Sequence, residues 1–293
     1  MAVLAYYVFH GRALLANQWQ WNWPWLAAAI GISFPLFFGR AWKWFRLIHS
    51  LDLSITFGQA AKSYLGGMPL GLITPGRVGE LSRCLFLPQQ KVHNLSGAGR
   101  VVLDNWTDFL AVLVWSTLGL FILWGWPGAG LGIGLSLVFN QMGLWLKVLN
   151  RMVSILPSLK GFKAKVENEI PNMASLPSKD YAFAVSAGIL LFGLEWIQLD
   201  FVLRFLGFVS SNFLILGGLM ALATLANSIQ ITIAGVGVRE ALSVLLLSKA
   251  GVDYRIALVA AFLQFALNLM IPALLGLVVK REGRIKSFFQ VSN

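Results

Sequence analysis

Apolar runs long enough to cross a bilayer recur along this chain, and lysine and arginine clusters close several of them. The first such run covers residues 24–47 and ends in Arg40, Lys43 and Arg46. Others cover 101–124, 131–149, 181–208 and 255–279, the last leading into Lys280, Arg281, Arg284 and Lys286. Only a helix or a closed barrel satisfies its backbone in lipid, so runs of this length predict spanning helices. Composition agrees, because 57% of the 293 residues are hydrophobic and 12% are charged, which leaves no stretch polar enough for a separate soluble domain. The chain is read as an all-α integral membrane protein, a polytopic helix bundle forming one membrane domain over residues 1–293.

A net charge of +11 suggests nucleic acid only when the cations gather in a basic domain. Here they stand at the ends of apolar runs, where they act as topology signals and contacts for anionic lipid, so nucleic acid is excluded as a partner. Under the positive-inside rule the first run crosses from outside to inside, and the basic tail puts the carboxyl terminus in the cytoplasm. The expected location is the cell inner (plasma) membrane, crossed several times. Trp19, Trp21, Trp23 and Trp25 mark the outer interface, Trp42 and Trp44 the inner one, and Trp124 and Trp126 an outer turn. Met1 to Phe9 is apolar but too short to span and lacks the basic start of a secretory signal, which suggests a truncated span. With one cysteine, Cys84, and with His10, His49 and His93 far apart, no disulfide, metal or other cofactor is expected.

Two stretches resist the plain reading. Residues 54–87 are apolar but interrupted by Gly58, Gly66, Gly67, Gly71, Pro75, Gly76 and Gly79, and they carry Lys62, Arg77, Glu80 and Arg83. Glycine and proline free backbone polar groups, which at membrane depth is tolerable only inside protein or beside a water-filled cavity, so a re-entrant hairpin is predicted. Residues 212–248 form a second Gly-punctuated stretch, and Ile73-Thr74 and Val78-Gly79 of the first recur as Ile231-Thr232 and Val236-Gly237 of the second, 158 positions later. Each half then reads helix, broken hairpin, helix: residues 24–124 and residues 181–280, separated by a basic cytoplasmic loop at 150–180. Within that loop Leu156, Leu159, Phe162, Val166, Ile170 and Met173 recur at helical spacing, which fits either an interfacial amphipathic helix or a solvated linker. Charge-based counting gives the halves opposite orientations, the pattern of an inverted repeat.

In such repeats broken helices meet near the midplane and present free N–H groups to an anionic group. Arg77, Arg83 and Arg239 are the candidate phosphate donors, with Glu80 and Glu240 as their counterions in the empty site; the alternative is a salt bridge that closes the hairpin. Thr74, Gly76, Gly79, Gly235 and Gly237 shape the two turns. Arg100, Asp104 and Asp108 fall on one helical face at four-residue spacing, either as ion partners of one another and of the hairpin arginines or as a proton or cation relay. Glu195 and Asp200, with Gln198 and Arg204, form a comparable set, while Asn227, Gln230, Gln264 and Asn268 either line the same cavity or join helices.

The order Thr74-Pro75-Gly76-Arg77-Val78-Gly79-Glu80, Arg83, Arg100 with Asp104, then Gly235-Val236-Gly237-Val238-Arg239-Glu240 resembles the lysylphosphatidylglycerol synthase transmembrane region, also called the flippase-like domain family. The resemblance runs from about Arg40 to the last span. Members include the membrane half of the bacterial multiple peptide resistance factor and proteins linked to hopanoid transport and archaeal glycolipid assembly, so it implies movement of polar lipids between leaflets. Larger members carry an aminoacyl transfer domain that this sequence does not show, so lysylation is not expected. Two departures stand out: Ala41 separates Arg40 from Trp42 where an Arg-Trp pair is usual, and Ile233 and Ala234 replace a frequent proline and glycine, which predicts a gentler second bend.

No Walker loop, GxSxG elbow, HExxH or dinucleotide fingerprint is present, and enzymatic activity is not expected. The glycosylation patterns at Asn94 and Asn105 fall in a cytoplasmic loop and a span and are dismissed. The leading expectation is a flippase that moves a polar, anionic or glycosylated lipid through a midplane headgroup site. The alternatives are an intramembrane transferase using Asp104 or Asp108 as general base, and a scaffold that delivers lipid to a lipid-modifying partner enzyme.

Overall fold

A computed structural model describes residues 21–51, 54–87, 94–140, 178–209, 212–227 and 238–279. The described residues are helical apart from short turns and connections, and four of their helices are long and apolar enough to cross a membrane. Helix α1 (Trp23–His49) opens with Pro24 in its first turn, where the missing N–H costs nothing. Its lipid side is a stripe of exposed Ile30, Phe34 and Phe38 at four-residue spacing, and its inner side buries Ala29, Leu36, Ala41, Trp44 and Leu47.

Helix α2 (Phe57–Ile73) starts at a capping box between Thr56 and Gln59 and stops at the Thr74-Pro75 step. From there a 3₁₀ segment (Pro75–Phe86) returns along it. Ser63, Gly67 and Gly71 recur every four residues on α2 and form the shallow ridge against which this segment lies. Ser63 donates a hydrogen bond to the Arg83 carbonyl at 2.8 Å, and a Cβ at Gly79 would strike the backbone of Leu70. The small residues therefore let two chain segments approach at backbone distance. Helix α2 and the 3₁₀ segment thus form two packed arms joined at the Thr74-Pro75 step.

Helix α3 (Asn94–Trp124) turns through Gly125, at φ +66°, into α4 (Trp126–Asn140). The predicted span at 131–149 is described to Asn140; its remainder, the 150–180 loop up to residue 177, and Met1 to Phe9 lie outside the described residues. Helix α5 (Ser178–Phe205) runs antiparallel to α1, tied to it at one end by Asn22 N–H to the Phe205 carbonyl (3.1 Å) and at the other by Arg46 to Asp180 (2.8 Å).

The second Gly-punctuated stretch contributes α6 (Phe213–Asn227) and α7 (Val238–Lys249), which pack on one another; residues 228–237 between them lie outside the described residues. Helix α8 (Tyr254–Leu277), capped by Asp253, contains a π-helical turn at Ala266–Met270.

Packing crosses the chain. The first hairpin lies on α8, where a Cβ at Gly276 would collide with the Leu65 carbonyl, and α6 lies on α3, where Gly119 and Gly218 meet backbone to backbone. One apolar cluster gathers around Trp196, Leu203 and Leu219, and a second around Trp44, Tyr64 and Leu87.

Candidate functional site

Charged residues of α1, the 3₁₀ segment, α3 and α5 meet in the interior. Lys43, on α1, places Nζ 3.0 Å from Asp104 Oδ1 and 2.5 Å from Asp108 Oδ1. The other oxygen of Asp104 receives Arg83 at 2.6 Å, and Arg83 also reaches Glu80 at 2.7 Å. Glu80 pairs further with Arg77. The result is one continuous chain of ion pairs, Asp108 to Lys43 to Asp104 to Arg83 to Glu80 to Arg77. Beside it Arg40 of α1 pairs with Glu195 of α5. Four cations thus face four carboxylates, which is how buried charge is tolerated in an apolar bundle.

Aromatic rings hold the middle of the chain. The Arg83 guanidinium lies 4.5 Å from the Tyr64 ring centre and 5.4 Å from that of Trp44, whose indole donates to Ser63 Oγ at 3.3 Å. Such packing fixes the position of the arginine.

A cavity of about 160 Å³ opens on this network, with Asp108, Arg83, Glu80 and Arg77 all in its lining. Arg77 and Asp108 line it with side chains 35% and 26% exposed, whereas those of Lys43, Arg83 and Glu80 are exposed by 2% or less. Arg40 and Glu195 border it from α1 and α5, and Thr224, Ser243, Gln264 and Asn268 add neutral polar groups from α6, α7 and α8. Arg77 itself has φ +57°, a left-handed backbone that costs a non-glycine residue about 1–2 kcal/mol. Strain of this kind persists where surrounding structure imposes it, often at functional positions.

The remaining predicted site residues divide. Thr74 spends its hydroxyl on the turn, donating to the Leu70 carbonyl (2.7 Å) and accepting from Gly79 N–H (2.7 Å). Gly76 lies in the 3₁₀ segment. Arg100 is buried one turn before Asp104 but does not pair with it, and its Nε and Nη1 have no hydrogen-bond partner. Asp200 pairs with Arg204 on its own helix at 2.7 Å, away from the cavity lining. Glu240 is buried in the first turn of α7, which also holds Arg239, while Gly235 and Gly237 lie outside the described residues. Gln264 and Asn268 both line the cavity and join helices, through the Glu195 carbonyl (3.2 Å) and the Gln198 side chain (2.8 Å). Asn227 ends α6, and Gln230 lies outside the described residues.

Two expectations are corrected. Arg40 and Lys43 read as topology charges, yet Lys43 is 1% exposed and Arg40 faces the cavity, because carboxylates of α3 and α5 draw both inward. Of that trio only Arg46 keeps a substantially exposed side chain. Trp44 read as an interfacial anchor, yet it is fully buried; Trp42, two residues earlier, is exposed. The missed signal was balance: Asp104, Asp108 and Glu195 need more cations than the first hairpin supplies, and Arg40 and Lys43, three residues apart, share one helical face.

No curated protein and no solved structure matches the chain. The family described as the lysylphosphatidylglycerol synthase TM region matches residues 1–276, nearly the whole length, and that family acts in membranes in connection with lipids. A helical membrane bundle with its hairpin arginines turned onto internal carboxylates thus belongs to the lysylphosphatidylglycerol synthase transmembrane-region family.

Proposed function

We propose that the protein is a flippase, carrying the polar headgroup of an anionic or glycosylated lipid between leaflets through the central cavity while the acyl chains stay in the bilayer. The observation that carries this reading is the cavity wall itself, where Arg77 and Arg40 are held by Glu80 and Glu195 and remain partly open to a ligand. Guanidinium groups bind phosphate or carboxylate through two parallel hydrogen bonds. An arriving headgroup exchanges with the internal carboxylates, so the arginines never stand uncompensated in low dielectric. A charge inside a spanning helix costs about 2.5–3.5 kcal/mol on insertion scales, and a wall of them is retained for use rather than for stability.

Residues 24–124 and 181–280 act in this reading as two inverted halves that rock about the antiparallel α1 and α5 pair, each hairpin re-entrant and seated on the closing helix of the other half. Gly119 and Gly276, the close-approach points of that exchange, stand 157 positions apart, near the 158-residue offset of the motifs. The basic tail supports a cytoplasmic carboxyl terminus, and we place the protein in the cell inner membrane. Both Asp104 oxygens are engaged by cations, which argues against that residue as a general base, so the transferase reading rests on Asp108 alone.

The deciding experiment is translocation of headgroup-labelled phosphatidylglycerol and of a headgroup-labelled glycolipid in proteoliposomes. Arg77→Ala and Arg40→Ala are expected to slow it by about tenfold or more, the equivalent of about 1.4 kcal/mol. Rates equal to wild type for both variants sink the proposal.

A further inference from the structure

The central cavity has a side opening. A second, smaller space of about 20 Å³, room for about one water, shares Arg40, Tyr64, Met68 and Asn268 with it and continues outward between α1, α2 and α8. Beyond the shared residues it is lined by Ser33, Leu36, Phe37, Leu267 and Pro272, whose neighbours in the chain, Phe34, Phe38 and Ile271, are exposed. The path therefore runs from a charged interior to an apolar surface within a few side chains.

All three helices around this opening carry a backbone defect at its level. Pro35 lies inside α1 and Pro69 inside α2. Helix α8 has the π turn at Ala266–Met270 followed by Pro272. Each defect removes or redirects a backbone hydrogen bond and lets a helix bend locally, and π turns recur at functional sites. Three such points around one narrow aperture give it room to widen without unfolding any helix.

We infer that this opening is an acyl-chain site: the hydrocarbon tail of a lipid whose headgroup occupies the central cavity leaves sideways between Phe37 and Leu267. This rests on the headgroup reading above. The occupant is hydrocarbon because the walls offer mostly methyl and ring surface: Arg40, Tyr64 and Asn268 stand at the end shared with the central cavity, and Ser33 spends its hydroxyl on the Ala29 carbonyl and Gln198. Leu36 and Leu267, being buried, are reached by a chain inside the opening and not by the lipid annulus.

The probe is phosphatidylglycerol with a diazirine in mid-chain, incorporated with the full-length protein into phosphatidylcholine vesicles, irradiated and mapped by peptide mass spectrometry. Wild-type protein is expected to be labelled at Leu36, Phe37 and Leu267 beyond the level at exposed Phe34 and Leu274, and Leu267→Trp, which fills the opening, is expected to abolish that excess. Uniform labelling together with Arg77-dependent translocation overturns the side opening and leaves the headgroup site standing. Preferential labelling together with translocation indifferent to Arg77 keeps the opening and overturns the headgroup site.

Discussion

Lys43 and Asp104 face each other across two helices with Nζ to Oδ1 at 3.0 Å, and the same lysine holds Asp108 and the Asp104 carbonyl oxygen. No other cation among the described residues joins both carboxylates of α3, so the network depends on it. Lys43→Met is expected to destabilise the fold by about 3–5 kcal/mol, the cost of stranding a buried charge, whereas adding Asp108→Asn to it is expected to recover part of the loss. Thermal unfolding in mild detergent, read as a double-mutant cycle, checks this; equal melting for Lys43→Met and wild type contradicts the geometry.

Two glycines of the first hairpin stretch make opposite predictions. Gly79 abuts the Leu70 backbone, which cannot move aside, so Gly79→Ala is expected to lose about 1–3 kcal/mol through overpacking. Around Gly58 a Cβ meets nothing within 4 Å, and Gly58→Ala is expected to melt at or slightly above the wild-type temperature. Similar melting shifts for the pair argue against the close arm packing.

Arg40 and Glu195 join helices 155 positions apart at the cavity wall. Glu195→Gln and Arg40→Ala are each expected to reduce translocation by about tenfold, and the exchange Arg40→Glu with Glu195→Arg to restore a part of it, since the pair survives with reversed polarity. A swapped protein as slow as the sum of its single changes points instead to separate roles.

Arg77 couples strain with use. Arg77→Gly relieves the left-handed backbone and is expected to raise stability by about 1 kcal/mol while translocation falls to the level of Arg77→Ala. A variant that loses both stability and transport indicates that the ion pair with Glu80 holds the hairpin rather than the ligand.

The spans were legible because hydropathy and length are local properties: 24–47 predicted Trp23–His49, and 181–208 predicted Ser178–Phe205. The end of α2 was legible from Thr74 to Glu80, where proline and glycine leave an α-helix no way to continue. The extent of the ion network was not, because Arg40 and Lys43 carry the same local signature as Arg46: a cation near the end of an apolar run.

The sequence by itself determined that the chain is a helical membrane protein, which family it belongs to and where α2 ends. It also picked out Arg77, Glu80, Arg83, Asp104 and Asp108, which the structure joins in one network, together with Arg100, which it leaves outside. Tertiary structure alone decided how those charges pair, that Lys43 rather than Arg100 answers Asp104, that Thr74 serves the turn, and that the cavity draws its wall from both ends of the chain. The reason is physical. Helix formation and membrane burial follow from neighbours a few residues away, whereas a buried charge takes whichever counterion the packing of distant helices brings within about 3 Å.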